Sequence, residues 1–271
     1  MEDAKYENVK AKRIKFSGNS KKEIIYKVTI LAFLIIIWEI YATSKNNALI
    51  MPKASDTIKQ FFLCVTDMEV ILNITITLGR VLKGFLWAMV IGVPLGFVMG
   101  ISEFANKLIG GLVDSIRQIP VMAWVPLTIV WFGIGDGPTI FLIAFTGVFP
   151  VILNTIQGVR GISKDYYNAA KSMGASKLSI LKDIIVPATL PDILTGARIA
   201  ISSGWMSVIW AEFIATSQGL GFLMVNSQTM MQTDRLIALM IFAAIVGFVI
   251  DRLLNLLNKY LSRWRTNEQW R

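Results

Sequence analysis

Side chains able to do acid–base or nucleophilic chemistry are scarce in this chain. Histidine is absent and Cys64 is the sole cysteine. An internal disulfide, a Cys/His zinc site and histidine-based catalysis are thereby excluded. No Gly-Lys dipeptide occurs, so the phosphate-cradling G-x4-G-K-[ST] loop is missing as well. The most informative remaining group is Glu212, a carboxylate within an apolar run. Such a group is costly in a membrane unless it meets a partner, a cavity or the interface. Two roles stay open for it: a structural ion pair at the interface, or the lining of a gate. Ser202, Ser203, Trp205 and Ser207 could line a passage beside it, but hydrogen bonds between helices would account for the serines equally well. Glu39 is expected to pack or snorkel, and Asp251-Arg252 to anchor a helix end. No set of nucleophile, base and metal ligands falls at membrane depth, so neither a catalytic residue nor a metal site is expected. No paired acidic and basic cluster, as a gradient-driven carrier would need, is visible in the predicted spans.

The elements that must position these residues follow from composition. Of 271 residues, 54% are hydrophobic and 17% charged, against roughly a quarter charged in a soluble chain. The deficit is concentrated in runs long enough to cross a bilayer, for which about 20 apolar residues suffice. Hydropathy and polar boundaries predict six spans, near 26–43, 80–101, 119–135, 138–157, 193–215 and 235–257. With both termini cytoplasmic, 21 of the 27 lysines and arginines fall inside and six outside, as the positive-inside rule prefers. The net charge of +9 is then a topology signal, and a nucleic-acid partner is not expected. The first run is read as an uncleaved span, since Trp38-Glu39 stands where a cleavage site would be.

The organisation predicted is a basic cytoplasmic tail (1–25), a first span (26–43), an external segment with an interfacial helix (44–75), a five-span core (76–257) and a second basic tail (258–271). Within the core, Gly84, Ala88, Gly92, Gly96 and Gly100 recur every four residues. This leaves one helix face almost without side chains, suited to close packing in lipid. Gly196, Ala200 and Gly204 repeat the device, with Ser203, Ser207, Ala211 and Ala215 on the adjacent stripe. Static packing and sliding during a transport cycle are both compatible with such faces. Pro94, Pro126 and Pro150 fall inside spans and favour kinks that often border a cavity or gate.

Between the fourth and fifth spans lies N-A-A-K-S-M-G-A-S-K-L-S-I-L-K-D-I-I-V-P, residues 168–187. Tyr167, Ala170, Met173, Leu178, Leu181 and Ile185 keep helical spacing, with Lys171, Lys177 and Lys182 opposite. Gly174 divides two short helical pieces and permits a sharply turned backbone. Pro187 and Pro191 are expected to end the element. Physics alone leaves two readings, a helix pair lying on lipid or a docking element whose bare Ala169-Ala170 patch lets another protein approach.

The segment resembles the EAA loop of permease subunits in binding-protein-dependent ABC importers, E-A-A-x3-G-x9-I-x-L-P. Here Asn168 replaces the glutamate and Val186 the leucine, while Ala169, Ala170, Gly174, Ile184 and Pro187 match. The runs at 119–135 and 211–221 are similar to the nitrate/sulfonate/taurine branch; permeases for thiamine precursors and riboflavin look related. The resemblance implies an all-α integral membrane protein of the type I ABC importer permease fold. It implies about six transmembrane helices, a cytoplasmic coupling helix, and a place in a bacterial-type cytoplasmic (inner) membrane. It also implies two P-loop ATPase subunits that bind ATP and magnesium in place of this chain, an external solute-binding protein, and a second permease copy forming a homodimer. Asn168, Ala169, Ala170, Met173, Gly174, Ala175, Leu178, Ile184 and Pro187 would contact the ATPase. Pro126, Ser203, Trp205, Ser207 and Glu212 would serve the path or gate.

Overall fold

The computed structural model describes residues 20–45 and 47–261, so most of the first basic tail and residues 262–271 lie outside the described residues. Among those described there is helix but no strand. Contacts divide the chain into two units, 1–55 and 56–271. In the first unit, helix α1 (Ser20–Lys45) begins ahead of the predicted span, so residues 20–25 are helical rather than tail. Trp38 Nε1 donates to Pro52 O (3.1 Å), and Glu39 accepts from Ser55 N and Oγ (3.0 Å each). Glu39 therefore supplies a capping acceptor where α2 (Ala54–Thr66) starts, rather than snorkelling.

The second unit carries α3 (Met68–Ile101), α4 (Glu103–Ile116), α5 (Val121–Phe132), α6 (Asp136–Arg160) and α7 (Lys164–Ser172). A short turn α8 (Lys177–Ser179) and a π-helical stretch (Ile180–Ile185) lead into α9 (Val186–Ala215), followed by α10 (Leu220–Thr229) and α11 (Thr233–Leu261). Five helices among the described residues are long and apolar enough to cross a membrane. The bent pair α4–α5 makes a sixth if counted as one broken span.

Three boundaries differ from expectation. The second span starts at Met68, not 80, because its polar residues satisfy themselves within the helix. Asn73 Nδ2 donates to Glu69 O (2.8 Å) and Thr75 Oγ1 to Ile71 O (2.9 Å). The third span is not one helix over 119–135. Helix α5 has 12 residues, about 18 Å at 1.5 Å each, well short of a ~30 Å hydrocarbon core. It follows α4 across a 95° bend, at a break that ends in Pro120. The fifth span does not start at 193, nor do Pro187 and Pro191 end the preceding element: the helical path runs from Lys177 to Ala215. Pro187 sits in the first turn of α9, where a missing N–H costs little.

Close packing centres on α6. A Cβ placed on Gly84 would stand 2.5 Å from Ile143 Cβ, on Gly92 2.9 Å from Val151 Cβ, on Gly96 2.5 Å from Thr155 Cβ and on Gly100 2.8 Å from Val159 Cβ. The partners advance four residues for four, so α3 and α6 run parallel along one glycine-lined seam. On its other flank α6 meets α9 antiparallel: Gly204 faces Ile143, Ala200 faces Gly147, and Gly196 lies against Pro150 O and Asn154. Gly147 touches both neighbours, since its Cβ would be 3.1 Å from Ala88 and 3.3 Å from Ala200. Next to this block, Val70, Ile74 and Val81 of α3, Trp205 and Val208 of α9, Leu220, Leu223 and Met224 of α10 and Leu239 of α11 form the largest buried cluster.

Gly96→Ala is expected to destabilise by roughly 1–3 kcal/mol, as overpacking does. Gly111→Ala, whose added methyl group meets nothing within 4 Å, should be neutral or gain up to about 1 kcal/mol of helix propensity. Thermal unfolding of the purified variants checks the contrast.

Candidate functional site

The segment at 164–187 is built by helix-end chemistry. Ser163 Oγ accepts from Asp165 N (3.2 Å) and opens α7. At the other end Ala175 N donates to Ala170 O and Gly174 N to Lys171 O (3.0 Å each). With Gly174 at φ +79°, these two bonds make a Schellman closure, which favours glycine at its left-handed position. Ser176 Oγ then accepts from Ser179 N (3.2 Å) and starts the next helical piece. Buried Ile180 and Ile185 seat this piece, and the bond from Val186 N to Leu181 O marks its π register.

No residue of α7 is buried. Asn168 and Ala169 are exposed and Ala170 half-buried, while Met173 is 88% and Leu178 72% exposed. Gly174 and Pro187 are also exposed, and Ala175 and Ile184 half-buried. Ile184 lines a cleft of about 220 Å³ with Tyr167, Lys164 and the foot of α3. The outcome is a short, tightly turned, solvent-facing handle that joins α9 without a flexible link.

At the opposite ends of α6 and α9 lies an ion cluster in which Arg80 and Glu212 are buried and Asp136 is exposed. Arg80 Nη1 donates to Glu212 Oε1 and to Gln218 O (2.7 Å each). Its Nε and Nη2 grip Asp136 Oδ1 (2.8 and 2.7 Å). Glu212 is fully buried and also accepts from Thr77 Oγ1 (2.9 Å) and Gly221 N (2.9 Å). Thr77 Oγ1 in turn accepts from Leu220 N (2.9 Å). Asn73 Oδ1 accepts from the amide of Gly219, which has φ +112° and sits where a Cβ would overlap the Glu212 carboxylate. The run at 211–221 is thus a turn folded over a carboxylate, clasped by α3. Each of these Glu212 bonds is made to another part of the chain, and the ion pair is with Arg80.

The other path candidates lie at several places along α5 and α9. Ser207 Oγ donates to Ser203 O in its own helix (2.6 Å), and Trp205 is buried against Gly247 of α11 in the main cluster. Trp205 and Ser202 also border a cleft of about 440 Å³ between α9 and α11, while Ser203 is half-buried and Pro126 is exposed on α5. Asp251 pairs with Arg198 (2.9 Å) rather than acting with Arg252, and Arg252 lies over the Phe248 ring (5.5 Å). Sequence reasoning missed Arg80, Asp136 and Thr77. The available signal was that Arg80 stands at the head of an apolar run, where a cation could answer Glu212.

A family model described as "Binding-protein-dependent transport system inner membrane component" matches residues 92–267. The chain belongs to this family. The permease is 36% identical over 90% of its length, and 93% of the relative's, to a putative ABC transporter permease protein of Methanocaldococcus jannaschii. It is 28% identical to the taurine transport system permease protein TauC of Escherichia coli (97% of this chain, 98% of the relative). It is 32% identical to the bicarbonate transport system permease protein CmpB of Synechococcus elongatus (86% and 87%). Among solved structures, inward-facing conformations of the MetNI methionine ABC transporter share the fold, at TM-score 0.62 and 17% identity, over 71% of this chain and 95% of that one. The permease is therefore a multi-pass membrane protein of the type I importer fold and the translocation subunit of an ATP-driven importer.

Removing one partner of a buried ion pair costs about 3–5 kcal/mol. Arg80→Gln should show a loss of that order in thermal unfolding, and the Arg80→Gln/Glu212→Gln double variant should recover part of it. Additive losses would mean that the two residues do not act together.

Proposed function

We propose that two copies of this permease form the path for a small anionic or zwitterionic solute, such as nitrate, a sulfonate or taurine. An external binding protein delivers the solute, and two separate ATPase subunits drive passage through the 164–187 segment. The observation that carries this reading is the handle. A hydrophobic tip of Met173 and Leu178 stands in solvent, closed by a Schellman turn and continuous with α9. A lipid-surface helix would account for the lysines but not for the bare Ala169-Ala170 patch, which anchors poorly in lipid and suits a groove on another protein. ATP and magnesium belong to the ATPase, and this chain binds neither. Both termini lie in the cytoplasm, on the handle's side, in keeping with the lysine and arginine distribution. The solute class rests on relatives named for taurine, aliphatic sulfonates and bicarbonate.

The test is co-purification from solubilised membranes. A P-loop ATPase should accompany the native chain. Its recovery should fall about tenfold or more, at least 1.4 kcal/mol, for Met173→Glu/Leu178→Glu and for Ala170→Asp, with permease yield unchanged. Recovery of the ATPase at native levels with all of these variants would defeat the docking role.

A further inference from the structure

We propose that the cleft at the elbow of the broken α4–α5 span is an anion site within the membrane. Arg117 is its charge partner, and the ligand is a small organic acid anion, a sulfonate or carboxylate with a short apolar tail. The inference rests on the importer reading and assigns it a transient solute site.

Location carries most of the weight. The cavity measures about 520 Å³ and is walled by Arg117, Gln118 and Pro120 of the elbow and by Phe145, Phe149 and Asn154 of α6. Helix α6 covers Asp136–Arg160; Phe145 and Phe149 fall in its middle third, and Asn154 in the third toward Arg160. The nearer helix end is about 9 Å from Asn154 along the axis. Arg117, which hydropathy assigns to an internal loop, is thereby held at membrane depth. An ionisable residue there is expensive unless it faces a water-filled passage or a partner. Irregular backbone at that depth is likewise confined to protein-buried or cavity-lining positions. Residues 117–120 satisfy both conditions at one place: two tight turn bonds, Gln118 N to Ser115 O (3.3 Å) and Ile119 N to Ile116 O (3.1 Å), are followed by Pro120, which has no N–H.

The chemistry of the wall favours an anion. Arg117 Nε is held by Asp114 Oδ1 (2.9 Å), which orients the guanidinium, while its two Nη groups have no protein partner among the described residues. Asp114 does not line the cavity, so the surface it presents is cationic. Asn154 gives one amide hydrogen to Pro150 O (2.8 Å) and keeps the other, and Gln118 offers a further amide. Phe145 and Phe149, edge to face at 5.1 Å, form an apolar wall for a short alkyl group. A cavity of this size lies within the range of small-ligand pockets.

The test uses the purified permease with its ATPase. Thermal stability is measured against rising sodium ethanesulfonate or sodium propionate, with sodium chloride at equal ionic strength as control. The native complex should be stabilised by at least one organic anion over chloride. Arg117→Gln should raise the half-maximal concentration about tenfold or more, Arg117→Lys should fall between, and Asp114→Asn, which removes a competing carboxylate, should lower it. No stabilisation of the native complex by either anion, or equal stabilisation of Arg117→Gln, overturns the site. Loss of the site would leave the importer reading standing if the ATPase still co-purifies, and loss of ATPase association would leave the anion titration interpretable on its own.

Discussion

Close backbone approach along α6 is the constraint on which the second unit depends. In lipid, helices gain nothing from hiding apolar surface from water, so association relies on van der Waals contact and interhelical polar bonds. Glycines and alanines on α3 and α9 bring both backbones onto α6, with Gly147 touching Ala88 and Ala200 at once. A contact made of backbone and methyl groups has few rotamers to exchange, so it favours one register. The parallel α3–α6 seam and the antiparallel α6–α9 seam therefore define a three-helix block.

The block has a different device at each end. At one end Arg80 ties α3 to the head of α6 through Asp136, and to α9 and the turn at 216–221 through Glu212 and Gln218. A charge pair so enclosed does little for stability compared with an apolar replacement, but it penalises any slip that separates its members. At the other end the exposed handle continues through a π-helical stretch into α9. On the coupling proposed above, a push on α7 would pass to α9 directly, and to α3 through α6. Block movement between two states would then be the mechanical content of alternating access, with the clasp holding the far end of the block together.

Much of this was legible in the residues. Apolar runs marked the membrane helices, the four-residue spacing of Gly84 to Gly100 marked a packing seam, and Gly174 marked the turn between two helical pieces. Other features escaped for identifiable reasons. Asn73, Thr75 and Thr77 read as a polar loop because hydropathy scores their side chains and cannot see that Asn73 and Thr75 bond to carbonyls one turn earlier or that Thr77 meets Glu212. Pro187 and Pro191 read as terminators, although a first-turn proline and a π-helical lead-in let the helix continue. The partnership of Arg80 with Glu212 joins residues far apart in sequence, and no local pattern announces such a pair. The elbow at 117–120 was hidden because α4, with Glu103, Lys107 and Asp114, fell outside the apolar runs, while the apolar run of α5 was taken for a whole span.

The most direct test of block movement is a pair of spin-label distances in the reconstituted importer with and without ATP. One pair places labels at Met173 and at Leu72, exposed on α3 beside Asn73, in a single protomer, bracketing the block from handle to clasp; the other, in the homodimer proposed above, places them at Met173 in both protomers. The distance between protomers should change on nucleotide binding while the distance within a protomer keeps its mean. A change within the protomer as large as that between protomers would show that the handle moves independently of α9, and would contradict a single block.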